Sequence, residues 1–315
     1  MTTTYERAGT LRGSTEPGAN DLQMPQKLMI FVLSMALFGL ANVVLEIIPD
    51  VTIGPIDVSV AYFVFVPLVM VALLNPFWAA LGAPLGEIIF TDLLMGDFSG
   101  LGEVEGFIQM FLALYAAGSL IRNPRSKPQI FLGALTVVAI DKFLSAAVDL
   151  TKVYIGVEDA ELVEGLPQSI LAIEGIGFGV DLLVSGILFG ALPAMWLIPA
   201  LHGKLEPLLG LRPRVPGEPV PGGAHKGWFV GVAVLLAASS FFFAFLEAWD
   251  IELGAVDGDF RDQYGDGFLW VSVAALVVLL GTALGLARRQ RQARERALAS
   301  TRPTDPAQSA PTERS

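Results

Sequence analysis

Long apolar runs dominate this chain, and most of them approach or pass the ~20 residues that cross the hydrocarbon core of a bilayer. A soluble chain of this length covers its surface with charge, yet only 16% of these residues are charged and 53% are hydrophobic, with a mean hydropathy of +0.61. The runs predict an all-α integral membrane protein with eight spans, over residues 27–48, 58–74, 76–94, 106–121, 129–150, 169–192, 227–249 and 267–287. Only Asn75-Pro76 separates the second span from the third, so the chain reverses there.

Basic residues favour the cytoplasmic side of a membrane. Arg122, Arg125 and Lys127 follow the fourth span; Lys204, Arg212, Arg214 and Lys226 follow the sixth; Arg288, Arg289, Arg291, Arg294 and Arg296 follow the eighth. The intervening loops are acidic, with Asp50, Asp57, Asp97, Glu103, Glu105, Glu158, Asp159, Glu161, Glu164, Asp250 and Glu252 among them. This alternation predicts both termini inside, in a multi-pass protein of the plasma membrane. The expected order is a disordered cytoplasmic tail (1–26), a six-helix bundle (27–201), a Pro/Gly-rich cytoplasmic linker (202–226), a transmembrane hairpin (227–287) and a basic, then disordered, tail (288–315). The first tail has no apolar core of its own and is read as a tail, not a cleaved signal.

Several chemistries are excluded by composition. There is no cysteine, and both histidines, His202 and His225, lie in the polar linker. No phosphate-cradling Gly-x-x-x-x-Gly-Lys-Ser/Thr loop, nucleophile elbow or His-Glu-x-x-His helix occurs. The expectation is therefore a non-enzyme with no catalytic residues, no metal, no cofactor and no nucleic-acid partner. Uphill movement of a solute would draw on an ion gradient or on a partner.

Ionisable side chains inside a bilayer are costly and mark function. Here they are Glu46, Glu87, Asp92, Asp141, Lys142, Asp149, Glu174, Asp181 and Glu247. Glu174, Asp181 and Ser185 share one stripe of the sixth span, Asp141, Ser145 and Asp149 one of the fifth, and Asn42 and Glu46 one of the first. Converging stripes would form an outward-facing cavity with Glu87, Asp141, Lys142, Glu174, Asp181 and Asn42 as its binding residues. Lys142 should pair with Asp181 or Glu174. The plainer readings are that Glu46, Asp92, Asp149 and Glu247 reach interfacial water, and that Lys142 with Asp181 is a structural ion pair. Four Gly-x-x-x-Gly pairs, starting at Gly82, Gly175, Gly186 and Gly281, permit close helix approach.

The stretch Phe63-Val-Phe-Val-Pro-Leu-Val-Met-Val-Ala-Leu-Leu-Asn-Pro-Phe-Trp-Ala-Ala-Leu-Gly-Ala-Pro-Leu-Gly-Glu87, continuing to Asp92-Leu-Leu-Met-Gly96, resembles the substrate-binding S components of energy-coupling factor (ECF) vitamin transporters. In that family a proline-bearing second helix leads through a short turn into a glycine-rich third helix that ends near an acidic residue; here Pro67, Asn75-Pro76, Gly82, Gly86, Glu87, Asp92 and Gly96 fill those places. The resemblance covers residues 27–201. It implies a six-helix bundle that binds a vitamin or similar micronutrient. It also implies partners: a transmembrane coupling subunit, met through small residues of the first helix such as Ser34, Ala36 and Gly39, with Gly82 and Gly86 in the packing, and two cytoplasmic ATPases. A carboxylate-rich pocket favours a cationic solute. Two other readings stay open: an ion-coupled secondary carrier in which Asp141, Glu174 and Asp181 titrate, and a non-transporting scaffold whose basic tail binds a partner or anionic lipid.

Overall fold

A computed structural model describes residues 22–45, 51–53, 56–93, 98, 100–157, 170–224 and 227–249. The expectations for the eighth span, for the terminal tails before residue 22 and after residue 249, and for Glu46 and Gly96 lie outside these residues, as does the side chain of Glu247. The structure is mainly helical. Helix α1 is Met24–Leu45; a small antiparallel hairpin pairs β1 (Val51–Ile53) with β2 (Ile56–Val58); α2 is Phe65–Leu73 and α3 is Pro76–Glu87, which continues as a π-helical stretch, Ile88–Leu93. Helices α4 (Leu101–Leu120) and α5 (Lys127–Ile155) follow. Helix α6 (Ile170–Asp181) passes through a π-helical stretch, Leu182–Ala191, into α7 (Leu192–Leu201); α8 (Leu205–Leu208) is one turn, and α9 is Trp228–Ala248.

Four of these segments are long and apolar enough to cross a membrane: Met24–Leu45, Lys127–Ile155, Ile170–Leu201 and Trp228–Leu246. The second expected span is much shorter as a helix than the sequence suggests. Residues 59–63 are not helical, and the nine residues of α2 rise only about 13 Å, less than half a ~30 Å bilayer core. Local chemistry explains two of the helix ends, the start of α3 where it was expected and the end of α5 five residues beyond the expected 150. At the start of α3, Asn75 Oδ1 accepts from Trp78 N at 3.3 Å and Pro76 takes the first position, where no N–H is needed. At the end of α5, Gly156 turns left-handed at φ +79°, and the Gly156 and Val157 N–H groups close on Val153 and Lys152 carbonyls.

Helices α1 and α3 are the closest pair. Ser34 Oγ donates to the Ala79 carbonyl at 2.7 Å, and a Cβ on Gly82 or Gly86 would collide with the carbonyl of Phe31 or Met35. Ser34, Ala36 and Gly39 are all buried, so the small residues of α1 pack within the chain. The other described glycine pairs differ: Gly175 and Gly179 have nothing within 4 Å of an added Cβ among the described residues, while Gly190 lies against Val64. Helices α2, α4 and α5 complete the core around Leu68, Leu114, Ile130 and Val137. Helix α9 lies against α4, with Trp228, Val230, Val234, Leu235 and Phe242 exposed.

The proline-rich linker is tied to the bundle by one side chain. Gly118 lets the end of α4 approach the end of α2, where its Cβ would press on Val71 and Pro76. Two helix C-termini thus present their orphan carbonyls side by side. Arg214 fills that place. Its Nη1 donates to Gly118 O and Ile121 O at 3.1 and 2.7 Å, and its Nη2 to Val71 O and Leu74 O at 2.5 and 2.9 Å. A cation at the negative ends of two helix dipoles is favourable. Burial pushes the Arg214 pKa down to about 9 and the nearby Glu206 opposes that shift, so the guanidinium stays charged at neutral pH. Glu206 is itself held by His202 Nδ1 and the Gly203 N–H, each at 2.8 Å.

Candidate functional site

Helix α5 buries Ile130, Ala134, Val137, Val138, Asp141 and Val148 along one face. Asp141 therefore faces the core by helical phase, at 8% exposure, and a buried carboxylate needs a donor. Tyr62 supplies it. Its Oη donates to Asp141 Oδ2 at 2.8 Å. Tyr62 sits in the non-helical segment before α2, and its neighbour Ala61 fixes the backbone there by giving its N–H to Ser185 Oγ at 3.0 Å. The next residue of α5, Lys142, places its Nζ 3.8 Å from Asp181 Oδ2 and 5.6 Å from the centre of the Tyr62 ring. Both side chains of that ion pair are about a quarter exposed, at 29% and 23%.

The close packing of α1 on α3 positions the second half of the site. Glu87 is the last residue of α3, directly after Gly86, and the side chain of Asn42 of α1 lies beside it. Asn42 is 5% exposed, and its Oδ1 has no hydrogen-bond partner among the described residues; the same holds for Thr91 Oγ1 in the π-helical stretch. Both π-helical stretches border this region, one beginning after Glu87 and the other after Asp181. Such stretches recur at functional sites.

These groups meet in a cavity of about 280 Å³, close to the lower end of the ~300–1,000 Å³ range of small-molecule sites. Glu87, Asp92, Glu103 and Asp141 line it together with Lys142, and Tyr62, Gln109 and Ser145 add neutral polar groups. Four carboxylates against one ammonium favour a solute that carries positive charge, and the volume restricts it to a small one. Apolar walls from Pro84, Ile88, Phe107 and Met110 lower the local dielectric and strengthen such attraction.

Of the residues singled out in the sequence, the structure brings Glu87, Asp141 and Lys142 to the cavity wall, sets Asn42 beside Glu87, and sets Asp181 on Lys142. Glu174 lies on α6, partly exposed, and is not among the lining residues. Tyr62 and Gln109 escaped the sequence reading because neither is ionised, although a tyrosine hydroxyl entering an apolar run is itself a polar group needing a partner. Ser145 and Asp149 share the expected stripe, at 3.5 Å from Oγ to Oδ2.

A helical protein with four segments long and apolar enough to cross a membrane, and with a carboxylate-lined polar cavity between its helices, is the class that this fold and this site define. The chain belongs to the DUF8171 family, a family of unknown function, whose profile matches residues 29–296. No curated protein and no solved structure matches it.

Proposed function

We propose that this protein is a membrane-embedded solute-binding subunit that captures a small, positively charged micronutrient for uptake, in the manner of an ECF S component served by a coupling subunit and partner ATPases. The observation that carries the reading is the cavity in which Glu87, Asp92, Glu103 and Asp141 gather around one ammonium, with Tyr62 fixing Asp141. An intramembrane cluster of this kind is expensive to maintain unless it binds something. The alternation of basic and acidic loops supports a multi-pass protein of the plasma membrane with both termini inside, in which the cavity would lie towards the outer face. Because α3 covers the small residues of α1, a coupling subunit would dock on another face of the bundle.

The Lys142–Asp181 pair favours a second reading. A partly exposed ion pair beside a π-helical stretch is a separable contact, as an ion-coupled carrier requires. Reconstituted vesicles decide between the two. A small amine solute that stabilises the purified chain against heat, yet is not accumulated by vesicles holding the chain alone, supports a binding subunit. Accumulation by the chain alone, abolished by an ionophore, supports the carrier. A panel of small amines none of which raises the thermal midpoint, with no accumulation, removes both.

A further inference from the structure

At the opposite ends of α2 and α4 from the cavity, the geometry points to a binding site for a phosphate-bearing anion, in a hollow of about 150 Å³ lined by Arg122, Arg212 and Arg214. The site is independent of the transport reading.

Three features make it a receptor and not merely a basic surface. Arg214 is 7% exposed, and although its four Nη hydrogens reach backbone carbonyls, its Nε is buried with no hydrogen-bond partner among the described residues. An orphaned donor on a buried cation is costly, and the Arg214 charge adds to the positive potential of the hollow that it lines. Arg122 and Arg212 are exposed, so their planar forks are free to turn onto a phosphate, whose geometry they match. Pro213, Pro219 and Pro221 form part of the wall. Prolines hold φ fixed, and the carbonyl clamp on Arg214 holds the segment against the helix ends, so the hollow is preformed.

The volume is about five times the ~30 Å³ share of one water molecule, enough for a phosphate group with part of its hydration. Glu218 lines the hollow as well and opposes the anion, and Glu206 lies near Arg214, leaving three guanidiniums against two carboxylates. Basic hollows at the ends of membrane helices attract anionic headgroups.

The full chain, purified in detergent, would be presented with dioleoylphosphatidylglycerol, dioleoylphosphatidylcholine or inorganic phosphate, with binding read by native mass spectrometry and by the thermal midpoint. Phosphatidylglycerol should be held about tenfold more tightly than phosphatidylcholine, and an Arg122→Gln/Arg212→Gln double variant should lose that preference. Arg214 is left in place because it clamps the fold. Competition by inorganic phosphate would identify the bare phosphate group as sufficient; retention of the lipid in excess phosphate would identify a headgroup held together with its chains. Glu218→Gln should tighten binding severalfold, a gain that loss of fold cannot imitate. Equal retention of the two lipids by the wild type, or a double variant that folds and still prefers phosphatidylglycerol, would overturn the assignment.

Discussion

Tyr62 and Asp141 are joined by a 2.8 Å hydrogen bond between the phenol and the carboxylate, across two elements separated by 79 positions in the sequence. The same ring lies under the Lys142 ammonium at 5.6 Å. One side chain therefore holds two adjacent and oppositely charged residues of α5 in different directions. Asp141 is kept in the cavity wall, and Lys142 is turned towards Asp181.

Tyr62→Phe keeps the ring and removes only the donor. The buried Asp141 then loses its hydroxyl partner, at a cost of about 1–3 kcal/mol, read as a lowered thermal midpoint or as easier unfolding in mixed micelles. Asp141→Asn should cost less in the Tyr62→Phe background than in the wild type. Strictly additive effects would show that the pair is not coupled.

Lys142→Gln separates the two senses of solute charge. Its bridge to Asp181 is partly exposed, so it contributes no more than about 1 kcal/mol to stability. Removing the ammonium takes a positive charge from the cavity wall, and a cationic solute should bind severalfold more tightly. Weaker binding would indicate that the solute brings a negative group to Lys142.

Arg214→Gln should be far more damaging than a surface arginine substitution, since four carbonyl hydrogen bonds from one charged group are lost. A loss on the order of 3 kcal/mol is expected. Arg214→Lys should recover only part of it, because an ammonium with three donors cannot serve four carbonyls from a planar fork. A lysine variant as stable as the wild type would contradict the double-cap geometry.

Two glycine substitutions test the helix packing. Gly86→Ala drives a Cβ into the Met35 carbonyl and should destabilise by about 1–3 kcal/mol. Gly106→Ala, in α4 with nothing within 4 Å of its added Cβ, should be neutral or stabilising by about 0.5–1 kcal/mol. Equal responses at the two sites would mean that α1 and α3 are not in that contact.

The sequence discloses the buried ions better than it discloses their surroundings. Glu87, Asp141, Lys142 and Asp181 stand out because charge in an apolar run is rare, and Lys142 had few possible partners. Tyr62 was hidden among aromatic residues that read as ordinary span ends. Arg214 was legible only as one more basic residue in a linker, since nothing local reveals that the ends of α2 and α4, brought together at Gly118, await a cation. The stripe of Glu174, Asp181 and Ser185 assumed a regular α-helix, but the helix changes pitch after Asp181, and Ser185 ends at Ala61 while Glu174 is not among the cavity residues. Gly-x-x-x-Gly spacing states what packing is permitted; only tertiary structure shows that the Gly82–Gly86 pair uses it, while the Gly175–Gly179 pair meets nothing among the described residues.

The central claim is that the carboxylate-lined cavity holds a small cationic solute. Native mass spectrometry of the full chain, gently extracted from solute-replete cells, tests it most directly when wild type, Glu87→Gln and Asp141→Asn are compared. A retained small cation in the wild type, reduced or lost in both variants while both still fold with a cooperative thermal transition, is the predicted result. A wild-type protein that carries only lipid, or a retained molecule that both variants keep unchanged, would contradict it.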